Sequence, residues 1–591
     1  MKLALAPLHA MDCGVMLVRL LFALFLTLSS HAAEKPGVVL ITVDGLGWGD
    51  FSASGNAQVP TPRMDKLLAE SAVFRDFHVS PLDAPTRAAL LTGLEPLRAG
   101  VWGNHSGRNR LRSGMVTLPL HLKNAGYTTA LFGTWALGDT PPCRPQDHGY
   151  SYVLTHPGGL PGNAADFFSN DGTDDLWLLN GDVLGRTGSL CEATFNGAAG
   201  FIEKSGNLPF LCHISPSLPA GMPAEKLQRF RDRADVPSPL RAAWIAELDE
   251  NLGDLLDILD KGGRTANTIV ILTSTSGMHD PGQKPVFNAG RRGARGSPLE
   301  GGHCVPLLVR WPAGGVTAGN VSAAAAHYDL LPTVAALTDT ALPGECKPDG
   351  ISLAPLMLGQ GAAPAAERVI ITDAQEVPVP IPWRRQCVIS GPWRLINGRE
   401  LYDLRHDPGQ RKDIAAENAA TVQRLRMAAE TWWQGLAPEK LEPVRTVIGG
   451  PQDPVILTTY DWLARGGHAA TREDIIAGKA ANGQWLIEVA TAGHYDILLR
   501  RWPLTVNRAL NDTFFTPEKA RLRLGTLDES KAVPPNAAGI VFRATLKPGP
   551  VALQTWLTGQ GRTSGAFFVE IRRAVEIRAA KPVADPVNRT P

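Results

Sequence analysis

Two polar residues stand where apolar runs end, which is where an open α/β sheet gathers its chemistry. Asp44 closes the run Gly37-Val38-Val39-Leu40-Ile41-Thr42-Val43 and is followed by Gly45, Gly47 and Gly49. Thr275 lies just beyond Thr268-Ile269-Val270-Ile271-Leu272-Thr273, with Ser276 next to it. A carboxylate so placed either receives loop N–H groups or helps to hold a hard cation. For Asp44 the first role is the expectation. His279-Asp280 has the composition of an acid/base pair, but neighbours in an extended loop do not readily face one point, so the two read as loop polarity. His105 and His303 read as hydrogen-bonded structural histidines. After Cys13 come Cys143, Cys191, Cys212, Cys304, Cys346 and Cys387, widely and irregularly spaced with no Cys-x-x-Cys pair, which argues against a zinc site. Cys212 and Cys304 lie in or beside apolar runs and read as buried thiols.

The elements that must carry these residues follow from the apolar pattern. The two runs above, with Pro209-Phe210-Leu211-Cys212-His213-Ile214 and Val305-Pro306-Leu307-Leu308-Val309-Arg310, are continuous rather than alternating. Such strands are buried on both faces. Between them, Leu118 to Ala125 and Ala243 to Leu256 place apolar residues at helical intervals. Strands alternating with helices predict a doubly wound α/β domain. Near residue 435 the texture changes to Pro438, Pro443, Gly449, Gly450, Pro451 and Pro454, and short alternating strands follow, as at Trp485-Leu486-Ile487-Glu488-Val489-Ala490. That pattern predicts a β-sandwich. Trp462, Trp485 and Trp556 within it are expected to pack in the core or against the first domain.

At 591 residues the chain is too long for one core. A net charge of +1, with no Lys/Arg block, argues against nucleic-acid binding. Near the N-terminus, Arg19 precedes an apolar run from Leu20 to Leu28, and the small residues Ser29, Ser30, Ala32 and Ala33 follow. This order predicts a secretory signal peptide and a secreted or periplasmic protein of bacterial type. The run is short for a membrane span, and no later segment is long and apolar enough for one. The expected organisation is a signal peptide at 1–33, an α/β domain at 34–436, a linker at 437–452, a β-sandwich at 453–578 and a tail at 579–591.

Several motifs, taken together and in order, resemble the sulfatase family of the alkaline phosphatase superfamily. Val39 to Asp50 resembles its opening strand, Ala84-Pro85-Thr86-Arg87 its signature helix start, and Phe132-Gly133-Thr134-Trp135-Ala136-Leu137-Gly138 its Gly-Lys-Trp-His-Leu-Gly motif. Glu300-Gly301-Gly302, Tyr328 to Thr333 and Glu400 to Leu404 also fit. The resemblance implies a mixed, largely parallel sheet between helices, with an appended C-terminal β-sandwich. It also implies a mechanism in which a Cys or Ser oxidised to formylglycine supplies the attacking oxygen. A divalent cation, usually calcium, is held by three Asp and one Asn or Gln, while basic residues neutralise developing charge.

Carried over position by position, that machinery is depleted. The nucleophile position holds Asp83, which cannot become an aldehyde. Of the metal ligands only Asp44 matches; the partner positions are Gly45, Thr275 and Ser276, which lack carboxylates. The Lys and His of the Gly-Lys-Trp-His motif fall on Thr134 and Ala136, a further His on Ser217, and the remaining Lys on Arg295, while Arg87 is retained. The losses concentrate in the catalytic shell while scaffold motifs persist. Asp83 is therefore expected to pair with Arg87 or Arg295, leaving Arg87, Arg295 and Thr134 as anion-binding candidates. Thr86 is expected to cap the helix. The resemblance as it stands implies an exported pseudo-sulfatase that binds an anionic or sulfated glycan or another protein, such as a second sulfatase. No cofactor is expected, with Ca2+ only if the family site is partly retained. The alternative is an active sulfate- or phosphate-ester hydrolase with a non-standard site, in which Asp83 serves as direct nucleophile.

Overall fold

The computed structural model describes residues 34–574 apart from 160, 220, 281, 283–285, 362–367, 437–441, 465–470 and 513. The predicted signal peptide and the predicted tail lie outside the described residues. The apolar runs form strands as expected. The strands of the main sheet are β1 (Gly37–Val43), β2 (Ala72–His78), β3 (Thr128–Gly133), β4 (Tyr152–Thr155), β5 (Leu176–Leu179), β6 (Asp182–Gly185), β7 (Phe210–Ser215), β8 (Thr268–Ser274), β9 (Cys304–Arg310), β10 (Gly319–Val321) and β11 (Ala325–Ala326). Their order is β10-β2-β9-β8-β1-β7-β3-β4-β5-β6, with β11 beside β2. Strands β8, β1, β7, β3 and β4 run parallel, whereas β9 is antiparallel to both β8 and β2.

The reason β1 reads as an unbroken apolar run is visible in its packing. Val39, Ile41 and Val43 enter the core on one face of the sheet, and Val38 and Leu40 enter the core on the other. The first face is covered by helices Leu190–Lys204 and Pro239–Lys261; the second by Asp83–Thr92, Leu118–Asn124 and Leu330–Leu337. Helix Leu190–Lys204 starts in a capping box, with Ser189 Oγ accepting from Glu192 N and Glu192 accepting from Ser189 N.

A four-stranded antiparallel sheet follows, made of β12 (Val369–Thr372), β13 (Cys387–Ser390), β14 (Trp393–Ile396) and β15 (Glu400–Asp403). The predicted sandwich comprises β16 (Thr446–Ile448), β17 (Val455–Thr458), β18 (Gln484–Val489), β19 (Gly493–Arg500), β20 (Lys519–Leu524), β21 (Leu527–Ala532), β22 (Ile540–Leu546), β23 (Gly549–Gly559), β24 (Arg562–Ser564) and β25 (Phe568–Arg573). One sheet is ordered β16-β18-β23-β20-β21, and the other β17-β25-β19-β22. They close on a core that includes Trp462, Trp485 and Trp502. Trp556 is only partly buried and lies under Arg521 and Arg523. The expected linker needs correction, because β16 falls inside it and pairs with β18.

The sandwich docks on the α/β part through buried polar contacts. Thr140 Oγ1 meets Thr446 Oγ1 at 3.0 Å, and Arg110 lies 3.8 Å from Asp461. The Phe168 ring meets Trp502 edge-on at 6.1 Å. No helix among the described residues is long and apolar enough to cross a membrane. All six described cysteines are free thiols, and all but Cys346 are buried.

Candidate functional site

Adjacent parallel strands bring the site together. Strands β8, β1 and β7 end side by side, so Thr275 and Ser276, Asp44, and Ser215 share one rim of the sheet. Two backbone bonds lock the rim: Thr275 N to Val43 O at 3.0 Å, and Asp44 N to Pro216 O at 3.1 Å. Asp83 opens the helix Asp83–Thr92 and Arg87 follows one turn later on the same face. Arg295 arrives from the loop between β8 and β9, anchored by its own N–H on Met278 O and by Gly296 N on Pro81 O.

Four charges meet there as two ion pairs. Arg87 Nη2 donates to Asp44 Oδ1 at 2.7 Å and to Ser215 Oγ at 2.7 Å. Arg295 donates to Asp83 Oδ2 from Nε at 2.8 Å and from Nη2 at 2.5 Å. Ser276 Oγ donates to Asp83 Oδ1 at 2.7 Å. Thr275 Oγ1 lies 2.6 Å from Asp44 Oδ1 and 3.0 Å from Asp83 Oδ1, and its single proton goes to the nearer carboxylate, Asp44. Burial raises the Asp44 carboxyl above its ordinary value, and the Arg87 guanidinium offsets this only in part. Burial also pushes Asp83 upward, but Arg295, Arg87 and Ser276 outweigh it and hold that carboxylate well below the usual range. Asp44 Oδ2 and Arg87 Nε and Nη1 are buried with no protein partner.

A directed polar chain supports the pair from below. Tyr150 OH lies 2.6 Å from His213 Nδ1, and His213 Nε2 lies 2.9 Å from Thr42 Oγ1. Thr42 Oγ1 lies 3.2 Å from Ser215 Oγ. Burial pushes the Tyr150 phenol far up, and burial beside Arg87 pushes His213 down to about 3. Tyr150 therefore donates to neutral His213, which donates to Thr42, which donates to Ser215. Ser215 is thus left with its lone pairs turned to Arg87.

Above the pairs opens a cavity of about 250 Å³ whose walls include Asp83, Arg87, Asn104, Arg295, Glu376 and Tyr460. Tyr460 belongs to the sandwich, so both parts of the chain build the cavity. Asp139 lies behind this wall, its carboxylate accepting from Gly158 N, and burial pushes its carboxyl up to about 7. Ala136 also lines the cavity, with a left-handed φ of 57°.

The donor set does not fit a calcium ion. Both carboxylates already carry guanidinium partners, and the Thr275 and Ser276 hydroxyls point their protons at those carboxylates. At Gly45, φ is 68° and an added Cβ would stand 2.7 Å from His279 Cβ, so no side chain fits where a further ligand is needed. Elsewhere, ligand atoms of Asp76, His78, Glu300 and Cys304 lie within 4.8 Å of one another. There Arg394 donates to Glu300 Oε1 at 2.6 Å and to Asp76 Oδ1 at 2.7 Å, while His78 Nε2 meets the same Asp76 oxygen at 2.8 Å. A guanidinium thus fills this cluster too.

Asp44, Asp83, Arg87, Thr275, Ser276 and Arg295 therefore lie together. Of the two partners expected for Asp83, Arg295 pairs with it directly, and Arg87 turns to Asp44. Thr134 is buried and Ala136 rather than Thr134 lines the cavity, because the Thr134 N–H is drawn back to Ser215 O at 2.9 Å. Thr86 does not cap its helix: its hydroxyl reaches back to Ser80 O at 3.1 Å, and Leu82 occupies the cap position. His303 is structural, its Nδ1 3.1 Å from His78 Nδ1. Asp280 accepts from Ser238 Oγ at 2.5 Å, away from His279. Sequence reasoning missed Asn104, Glu376 and Tyr460, which come from separate loops with no shared motif. The signal for Ser215 was present, since it ends an apolar strand next to that of Asp44.

Comparison with known proteins agrees with this architecture. A family profile described as Sulfatase matches residues 36–340. Bovine arylsulfatase A is 32% identical over 363 residues, covering 56% of this chain and 70% of the relative. Mouse N-acetylgalactosamine-6-sulfatase is 29% identical over 367 residues, covering 56% and 68%. An N-acetylgalactosamine-6-O-sulfatase of Bacteroides thetaiotaomicron is 24% identical over 489 residues, covering 68% and 93%. Among solved structures, Ps i-CgsB in complex with k-i-k-neocarrahexaose superposes with a TM-score of 0.61 at 24% identity, covering 69% of this chain and 95% of the other. The PsFucS1 sulfatase from Pseudoalteromonas sp. gives 0.56 at 19% identity, covering 72% and 95%. The chain belongs to the sulfatase family.

Proposed function

We propose that this chain is an exported member of the sulfatase family that binds an anionic saccharide in the cavity without hydrolysing sulfate esters. The observation that carries this reading is the pairing of Asp83 with Arg295 and of Asp44 with Arg87. Cleaving an ester that is already an anion requires a concentrated positive centre and a free nucleophile. Here each guanidinium is neutralised by a carboxylate, and the carboxylate at the nucleophile position is engaged by two arginine N–H groups and a serine hydroxyl. Arg87, Arg295 and Asn104 at the cavity wall supply N–H donors for a ligand oxygen. The sulfated-sugar names of several relatives support a sulfated saccharide as the ligand class.

The test combines turnover, metal content and binding. Purified protein, supplied with calcium, is incubated with an aryl sulfate and with N-acetylgalactosamine 6-sulfate, and its metal is measured by mass spectrometry. The expected result is no desulfation above buffer, no stoichiometric metal, and calorimetric binding of the sulfated sugar that Arg87→Met weakens. Desulfation abolished by Asp83→Ala would establish the hydrolase reading instead. Asp83→Cys is expected to stay inactive, since the cation ligands remain missing.

A further inference from the structure

Beside the cavity lies a second concave surface that the reading above does not use. The segment between β12 and β13 and the turn between β14 and β15 form a shallow cleft of about 410 Å³, lined by Ile381, Trp383, Arg384, Arg385, Asn397 and Arg399, with no carboxylate in its lining. Ile381 is 48% exposed, and Arg385 and Arg399 are exposed as well.

The cleft is held in shape by unusual backbone. Trp383 and Arg385 have φ values of 63° and 42°, a region that side-chain-bearing residues rarely adopt, whereas Asn397 and Gly398, at 51° and 67°, form an ordinary Asn-Gly turn of the β14–β15 hairpin. Strain of this kind persists where the surroundings impose it, and it clusters at functional surfaces. The surroundings are visible here. The Trp383 ring lies over Gly398, where an added Cβ would come within 2.8 Å of it, and Arg426 stacks on the same indole at 5.9 Å. Asn397 Oδ1 accepts from Gln386 N at 3.0 Å, which leaves its amide N–H groups for a ligand. Arg384 Nε is fixed on Gln375 O at 2.6 Å, which fixes where its terminal nitrogens stand.

The cleft adjoins the cavity. Glu376 lines the cavity and lies 3.7 Å from Arg385, whose Nη1 would stand 4.0 Å from a Cβ on Gly296, the neighbour of Arg295.

We propose that this cleft is a separate binding site for a chain of acidic sugars, with Arg384, Arg385 and Arg399 meeting its sulfate or carboxylate groups and Asn397 its hydroxyls. Guanidinium groups suit such oxyanions through paired N–H donors. The apolar Ile381 suits the C–H faces of a sugar ring. The covered Trp383 ring offers no open platform for base stacking, which disfavours a nucleic acid. The site uses residues outside the cavity and does not depend on whether the protein turns sulfate esters over.

The experiment uses the full chain, a chondroitin 6-sulfate hexasaccharide, its desulfated counterpart, poly-glutamate and a short single-stranded oligonucleotide. Affinities are measured by calorimetry at low and moderate salt. Binding of the sulfated hexasaccharide is expected to weaken at least tenfold in the Arg384→Ala/Arg385→Ala/Arg399→Ala variant, and in the single variant Arg399→Glu should the triple one fold poorly. The cavity variant Arg87→Met is expected to lose single-sugar binding, which bears on the cavity reading alone; in that background the arginine variants are still expected to weaken hexasaccharide binding at least tenfold. Unchanged affinity in the arginine variants overturns the site. The desulfated chain, which keeps its uronate carboxylates, is expected to bind through the same arginines. Equal, arginine-dependent binding of poly-glutamate or the oligonucleotide overturns the assignment to acidic sugars.

Discussion

Removing both members of the Asp83–Arg295 pair is expected to harm the fold less than removing either one. Asp83 is 8% and Arg295 24% exposed at the side chain, so the pair sits largely out of water. In Asp83→Ala, Arg295 loses the acceptor of both its N–H bonds and Ser276 loses its acceptor too. Leaving one buried charge unpaired costs about 3–5 kcal/mol, and the partial hydration of Arg295 places this variant near 3 kcal/mol. Arg295→Met leaves the Asp83 carboxylate with the Ser276 hydroxyl as its side-chain donor, at about the same cost. The double variant strands no charge and is expected to lose only about 1–2 kcal/mol, giving a coupling of about 4–5 kcal/mol. The assay is a double-mutant cycle on the urea transition of the α/β domain, followed by intrinsic tryptophan fluorescence. A double variant whose loss equals the sum of the single losses would refute the pairing argument.

Three further outcomes follow from the same geometry. Arg87→Met leaves buried Asp44 with one hydroxyl donor, so about 3 kcal/mol should be lost at neutral pH, and less in acid where Asp44 takes up a proton; a pH-independent loss contradicts this. Asp139 has a folded-state value near 7 against an ordinary 3.8, so the folded state binds its proton more tightly than the unfolded chain does. Stability from this group is greatest below about pH 4 and falls by roughly 4 kcal/mol on the way to pH 7, and Asp139→Asn should flatten that slope in denaturation measured across the range. Gly45→Asp, which would restore a family carboxylate, should instead lower stability by about 2 kcal/mol through its left-handed φ and the clash with His279, and an unchanged melting temperature would count against that account.

How much of this was legible depended on the physics of each element. Strands β1 and β8 were readable because both faces are buried, which forces an apolar residue at nearly every position. The Asp83 pair was readable because a carboxylate and two arginines remained where the family keeps a nucleophile and its cationic partners. The choice between Arg87 and Arg295 was not, since it turns on the Ser215 hydroxyl that draws Arg87 toward Asp44, a contact across 128 positions of sequence. Strand β16 was hidden because a Pro/Gly-rich stretch reads as linker, while its pairing with β18 is decided by tertiary packing. The failed cap at Thr86 has the same origin: a nearby carbonyl, Ser80 O, competes for the hydroxyl. Glu376 and Tyr460 reach the cavity from loops whose local sequence gives no hint of a shared destination.

The appended sandwich lends the cavity Tyr460 and Thr459. A fragment truncated at Leu436 therefore lacks one side of its own binding chamber, however well it folds. A guest seated there touches both halves of the polypeptide at once and acts as a rivet, so saturating it should make the two halves melt as one.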